Sequence, residues 1–295
     1  MADIKQLKIK ITSTKNIKKI TSAMEVISTI KLQKVKKSAE HLRDYMNTFL
    51  GMLSSVNAYT DIFPQPSDQA KRKLAILISS EKGLCGSLNT SLFKQFENEY
   101  ADHKEELDVY VVGKKGREFC ARRGYHVVAT SSLHDIFTAK DLSELYAFLS
   151  QAQKNGKYME IRVWYNFFKN TMKQIPAGFQ LSPLSSEKFS EFMDTLEIKI
   201  PKPEQVRNTN YMKLEPTKQA IVKKAYDIMM NVIVYGAVLH NKTGEFAARM
   251  LAMKGAKDNA TTIIDDLTLA YNKARQDAIT KEVLEIVSAK AVIEN

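Results

Sequence analysis

The stretch KNIKKITSAMEVISTIKLQKVKK, residues 15–37, contains neither Gly nor Pro, so nothing in it interrupts a helix. Its apolar residues do not keep to one side. With Ile20 at zero and about 100° per residue, Met24, Ile27, Ile30, Leu32 and Val35 spread over more than half the circumference. Lysines fill most of the remainder. A helix on an ordinary domain buries one stripe and shows the rest to water. This one needs something on a second side.

Working outward, the same helix carries a heptad track. Ser28, Leu32, Val35, Ala39, Leu42, Met46, Phe49, Leu53 and Val56 alternate in steps of four and three, the signature of a coiled-coil seam. Extended backward, the track passes Met24, Thr21 and Ile17, and its register is expected to slip before Ile11, Leu7 and Ile4. The other end of the chain repeats the pattern. Val222, Ala225, Met229, Val232, Gly236, Leu239, Thr243, Phe246, Met250, Met253, Lys257, Ala260, Ile264, Leu267, Tyr271, Ala274 and Ala278 form a second seam, whose small members admit a close partner. Two long proline-free helices at opposite ends of one chain most simply pair with each other, antiparallel.

The punctuation lies between them. All seven prolines fall from Pro64 to Pro216, and the first glycine is Gly51. KLAILISS (73–80), LDVYVVG (107–113), YHVVA (125–129) and MEIRVWYNFF (159–168) read as strands, with helices in SLNTSLFKQFENEY, KKGREFCARRG and DLSELYAFLSQAQKNG. Strand and helix in turn predict a layered α/β domain with a largely parallel sheet. QIPAGFQLSPL (174–184) reads as an added strand after a turn, and IKIPKP (198–203) as an edge strand or linker. The fold class is therefore α/β: a long antiparallel coiled coil of the N- and C-terminal helices plus a central Rossmann-like domain. The divisions are 1–60 for the first coil helix, 70–205 for the α/β domain and 211–295 for the second coil helix.

The chain carries a net charge of +11, and residues 1–50 hold eleven Lys and Arg against Asp3, Glu25, Glu40 and Asp44. A basic helix can meet nucleic acid, anionic lipid or an acidic protein surface. Nucleic acid fits poorly: the lysines interleave with Ile, Met and Val, and no aromatic residue precedes Tyr45 to stack on a base. No run approaches the ~18 apolar residues of a membrane span, so direct membrane insertion is not expected. Catalytic signatures are thin. Gly83 and Gly86 in SSEKGLCGSLNT do not make GxGxxG, no Lys-Ser/Thr pair forms a P-loop, and no GxSxG occurs. The loop reads as a tight βα turn rather than a nucleotide site. The five histidines are scattered, and Cys85 and Cys120 read as two small buried thiols. No catalytic group, metal or cofactor is expected.

KKITSAMEVIS..KL near the start, GLCGSLN in the central loop, and EFAARMLAMKGAKDNA....I..L.L.YNKARQ..IT.E..EIV near the end closely resemble the gamma subunit of F-type ATP synthases, of bacterial type. The resemblance is strong over roughly 1–50 and 240–288 and diffuse between. It implies a non-catalytic central rotor shaft that couples ion flow through the membrane c-ring to ATP synthesis or hydrolysis. The implied partners are three alpha and three beta subunits, the epsilon subunit and the c-ring, at the cytoplasmic face of a bacterial plasma membrane. It answers the opening question: one face of the first helix meets its coil partner, and the rest faces the ring with its acidic beta loops. By motif position, Arg249 and Gln276 would make polar contacts to a loop of one beta subunit, followed by Thr280 and Glu282. Met24 would lie near the acidic loops, with Lys18 and Lys31 as further candidates. Tyr211, Glu215 and Pro216 match the foot that meets the c-ring and epsilon. Val283, Leu284, Ile286 and Val287 would form the tip, turning in a hydrophobic sleeve. Arg249 and Gln276 could instead hydrogen-bond within the coil, and Tyr211 and Glu215 could cap a helix entry. Ser87 stands where the family usually has glycine.

Overall fold

The computed structural model describes residues 2–55, 72–198, 215 and 217–293. The chain divides into two compact units, residues 29–248 and residues 1–28 with 249–295. Helix α1 (Ala2–Ser55) and helix α6 (Lys218–Ile293) each contribute to both.

The larger unit is built on five strands: β1 (Arg72–Ile78), β2 (Leu107–Val112), β3 (His126–Ser131), β4 (Tyr158–Phe168) and β5 (Gln174–Ser182). Their order is β3-β2-β1-β4-β5, with every pair parallel except β4–β5. The largely parallel sheet inferred from the sequence is present, and the added strand is the antiparallel edge. β1 and β2 are nearly continuous apolar runs because both faces are covered. Leu74, Ile76 and Ile78 of β1 face one layer, and Ala75 and Leu77 face the other.

On the second face lie α2 (Leu88–Tyr100) and α3 (Lys114–Arg123). Phe96 of α2 packs edge-on to Trp164 and Tyr125, with ring centroids 5.8 and 5.2 Å away. The first face receives α4 (Ser143–Lys154), α5 (Ser186–Thr195) and the portions of α1 and α6 that belong to this unit. Leu32, Val35, Leu42, Met46, Phe49 and Leu53 of α1 share one core with Ala225, Met229, Val232 and Leu239 of α6 and with the sheet. The two helices are antiparallel here. Lys31 lies over the Phe246 ring, while Leu42 and Tyr45 share a cavity wall with Ile228 and Val232.

α5 escaped the sequence reading, which placed a strand at 174–184 and an edge strand or linker at 198–203 and assigned nothing between them. Its signals are short but present. Ser185 accepts a hydrogen bond from the Lys188 N–H as an N-cap, and Phe189, Phe192 and Met193 recur at helical spacing and are buried. Arg43 of α1 completes the other end, donating to the Leu196 carbonyl at 3.2 Å and to Glu197 at 2.6 Å. α5 also explains Gly236: a Cβ there would stand 3.0 Å from Leu196 and 3.1 Å from Phe192. The close partner of that glycine is α5 rather than α1. Ile198 is buried and outside any strand; residues 199–203 lie outside the described residues, as does Val56.

Asp108 ties the strand origins together. Its carboxylate accepts from Arg72 of β1, Lys157 and Tyr158 at the start of β4, and meets His126 Nδ1 of β3 at 2.9 Å. Burial alone would raise its pKa, but the hydrogen bonds from Arg72, Lys157, His126 and Tyr158 hold it well below the usual carboxylate range.

In the smaller unit, α1 and α6 pair, with Thr21, Ser28, Met253 and Ala260 buried and Lys257 Nζ donating to Glu25 at 2.7 Å. The expected slip in the α1 seam does not occur. The less exposed residues are Ile4, Leu7, Ile11, Thr14, Lys18, Thr21, Glu25 and Ser28, continuous in register with Leu32 onward, whereas Ile17 is 51 % exposed. Three polar residues hid the track: Thr14, Lys18 and Glu25. The Thr14 hydroxyl returns to the Lys10 carbonyl and Glu25 is taken up by Lys257, so both sit in the seam with their polar ends satisfied. The α6 seam follows the sequence reading, least exposed at Met253, Lys257, Ala260, Ile264, Leu267, Tyr271, Ala274 and Ala278.

Candidate functional site

The loop after β1 sits where an open α/β sheet would bind a nucleotide. Here that place is filled by the chain itself. The first three N–H groups of α3 are already used: Lys114 N–H donates to Glu81 Oε2 (3.2 Å), Lys115 N–H to the Ser80 carbonyl (3.1 Å) and Gly116 N–H to Ser79 Oγ (2.7 Å). Glu81 also accepts from the Leu133 N–H at 2.9 Å. A carboxylate thus occupies the N-terminal end of α3, beside that loop. The tight turn is held by Asn89, whose amide donates to Ser80 Oγ at 2.6 Å while its carbonyl accepts from the Ser80 N–H. Gly113 (φ +99°) allows Ser79 to approach: a Cβ there would lie 2.4 Å from the Ser79 carbonyl oxygen. Ser87 has φ −86°, which any residue adopts, so the family's usual glycine is not required there.

Among the described residues no group of three His, Cys, Asp or Glu side chains is placed to hold a metal ion. Cys85 and Cys120 are both buried and outside any disulfide, and burial pushes the Cys120 thiol up to about 12. No helix among the described residues is long and apolar enough to cross a membrane.

The candidate contact residues of the smaller unit fall at two levels. Met24 is half-buried, beside Glu25 and therefore at the height of Lys257. Arg249 is 6 % exposed and engaged within the chain. Gln276, Thr280 and Glu282 are exposed, and the Thr280 hydroxyl returns to the Gln276 carbonyl at 2.9 Å. Gln276 follows Arg249 by 27 residues of unbroken helix, about 40 Å along the axis. Lys18 is half-buried in the seam, and Lys31 is taken up by Asp135 at 2.5 Å. Val283, Leu284, Ile286 and Val287 are 53, 58, 69 and 59 % exposed, an apolar helix end left open by the described residues. Ile20, Val26 and Ile27 of α1 are similarly bare, among the exposed Lys5, Lys8, Lys10, Lys15 and Lys19. Glu215 is exposed and has a partner; Tyr211 and Pro216 lie outside the described residues.

An antiparallel helix pair packed against a Rossmann-like sheet, with basic and apolar residues left exposed on both helices, defines a coiled-coil protein with an α/β body. Comparison with known proteins makes this particular. Residues 3–292 match the family model described as ATP synthase. The ATP synthase gamma chain of Nitrosomonas eutropha is 35 % identical over 301 residues, covering 99 % of this chain and 100 % of that one. That of Haemophilus influenzae is 35 % identical over 300 residues with the same coverage. Among solved structures, a chain of the Euglena gracilis mitochondrial ATP synthase OSCP/F1/c-ring assembly superposes with a TM-score of 0.69 at 20 % identity, over 99 % of this chain and 95 % of that one. A chain of the Tetrahymena thermophila mitochondrial central stalk/c-ring gives 0.58 at 21 % identity, over 80 % and 99 %. The chain belongs to the ATP synthase gamma-chain family, as the terminal motifs implied.

Proposed function

We propose that the chain works as the rotor shaft of an F-type ATP synthase, turning inside a ring of three alpha and three beta subunits and driven from below by the c-ring, with epsilon bound at the foot. The observation that carries this is the unbroken helix pair of the smaller unit, apolar and basic on faces that none of the described residues covers. Rotation presents each beta subunit with a different surface in turn and shifts its open–closed equilibrium by differential contact. No catalytic group of this chain takes part; the chemistry belongs to the ring. The chain is peripheral to the membrane, on the cytoplasmic side of a bacterial plasma membrane.

Met24 and Arg249 form one level of contact with the acidic beta loops, and Gln276, Thr280 and Glu282 form another. Val283, Leu284, Ile286 and Val287 are the bearing tip, and Tyr211 and Glu215 belong to the foot. The lysines of α1 supply long-range attraction to the acidic loops, and the exposed isoleucines and valines slide without directional bonds. The test is Gln276→Ala and Arg249→Ala in the assembled complex. Both lower ATP hydrolysis and synthesis without loss of assembly; unchanged rates in both remove them from the contact surface.

A further inference from the structure

One turn of α6 is polar yet wholly enclosed. His240, Asn241, Lys242, Thr243 and Glu245 are each at most 9 % exposed, and at about 100° per residue they point in every direction around the helix. Each direction meets a different element of the larger unit. Asn241 Oδ1 accepts from the backbone N–H of Asn166 in the middle of β4 (3.2 Å) and from its side-chain amide (2.9 Å). His240 Nε2 lies 3.5 Å from Thr195 Oγ1 at the end of α5, and its ring is 4.9 Å from the Phe167 ring. Lys242 Nζ lies 3.2 Å from Glu245 Oε2, within electrostatic reach of Asp135, which itself holds Lys31 of α1. A Cβ on Gly244 would stand 3.2 Å from Gln174 of β5. Phe246, the next residue, sits under the Lys31 ammonium.

The turn is not optimised for stability. Among the described residues, Asn166 Oδ1 and Asn241 Nδ2 are buried without hydrogen-bond partners. A half-satisfied polar pair inside a core is inferior to an apolar one of similar volume, so its presence calls for another reason. Apolar packing is non-directional and tolerates neighbouring registers. Polar groups inside a core do not, because a slip or rotation strands them.

We infer that residues 240–245 form a keyed collar, which fixes the rotation and register of α6 within the α/β body so that torque applied to the body reaches the helix without slip. The inference deepens the rotor reading and rests on it. Asn166, Asn241 and His240 are positioning residues. They touch neither nucleotide nor ion, and they act by holding α6.

The test compares ATP hydrolysis with ATP-driven ion pumping in membrane vesicles carrying the full complex. The variants are Asn166→Leu with Asn241→Leu, and separately His240→Leu. The collar predicts normal assembly, hydrolysis close to the parent's and, in His240→Leu, an unlowered melting temperature, while ions pumped per ATP fall at least about twofold. A purely structural role gives the reverse: a lowered melting temperature with an unchanged ratio, which overturns the collar. If the asparagine double variant does not assemble, His240→Leu is decisive by the same ratio. Failure of both to assemble assigns the turn to folding and also overturns the collar. A parent chain that supports no pumping at all would instead contradict the rotor reading itself.

Discussion

Lys31 of α1 and Asp135, in the segment after β3, form an ion pair at 2.5 Å, with both side chains less than a third exposed. Lys82 of the β1–α2 loop reaches the same carboxylate at 3.5 Å. One aspartate therefore joins the first helix to the rim of the sheet. Burial would raise its pKa, but the hydrogen bond and charge of Lys31, with Lys82 and Lys242 nearby, hold it below the ordinary value. Lys31→Ala should cost about 1 kcal/mol or somewhat more, because the pair is partly shielded from water. Thermal denaturation in low and high salt checks this: the difference between parent and variant should shrink with salt.

Gly113 should tolerate no side chain. Its φ of +99° is a glycine conformation, and a Cβ would press on backbone rather than on a flexible side chain. Gly113→Ala is expected to destabilise by about 2–4 kcal/mol, whereas Gly124→Ala, where a Cβ meets open space, costs only the strain of φ +72°, about 1 kcal/mol. Equilibrium denaturation of the two variants side by side measures the difference.

His240 makes stability depend on pH. Burial pushes its pKa down to about 4, from an ordinary 6.5, so the folded imidazole stays neutral where the unfolded one takes a proton. Stability is full above about pH 6.5 and falls as the pH drops toward 4, by up to about 3 kcal/mol. His240→Leu should flatten the melting-temperature profile across that window. A slope equal to the parent's would show that another group controls it.

The tip should matter only in the complex. Ile286→Asp and Val287→Asp alter residues 69 and 59 % exposed in the single chain, so its melting temperature should shift by no more than about 0.5 kcal/mol equivalent. Inside an apolar sleeve the same charges are expensive, and the yield of assembled complex or its turnover should fall.

The elements most legible in the sequence were those whose burial is periodic. β1, β2 and β4 announced themselves as continuous apolar runs between turn residues, and the α6 seam was readable to Ala278 because its small and apolar members hold one register. Legibility failed where polar residues do apolar duty. Thr14, Lys18 and Glu25 lie on the α1 seam, so the apolar Met24 and Ile17 misled the register. α5 was missed because ten residues between proline-bearing segments carry less signal than their setting. The buried turn at 240–245 could not be foreseen. What encloses it comes from β4, β5 and α5, remote in the chain, and only Thr243 stood out as a polar seam position. The candidate contacts rested on motif identity, and a helix of known pitch was enough to separate Arg249 from Gln276.

Native mass spectrometry of complexes purified from the source cells tests the rotor account most directly, with the affinity tag in a loop of the α/β domain so that the helix tip stays free. The account predicts one copy of this chain with three copies each of two larger partners, together with ATPase activity. A free chain, a homodimer or co-purified nucleic acid would contradict it.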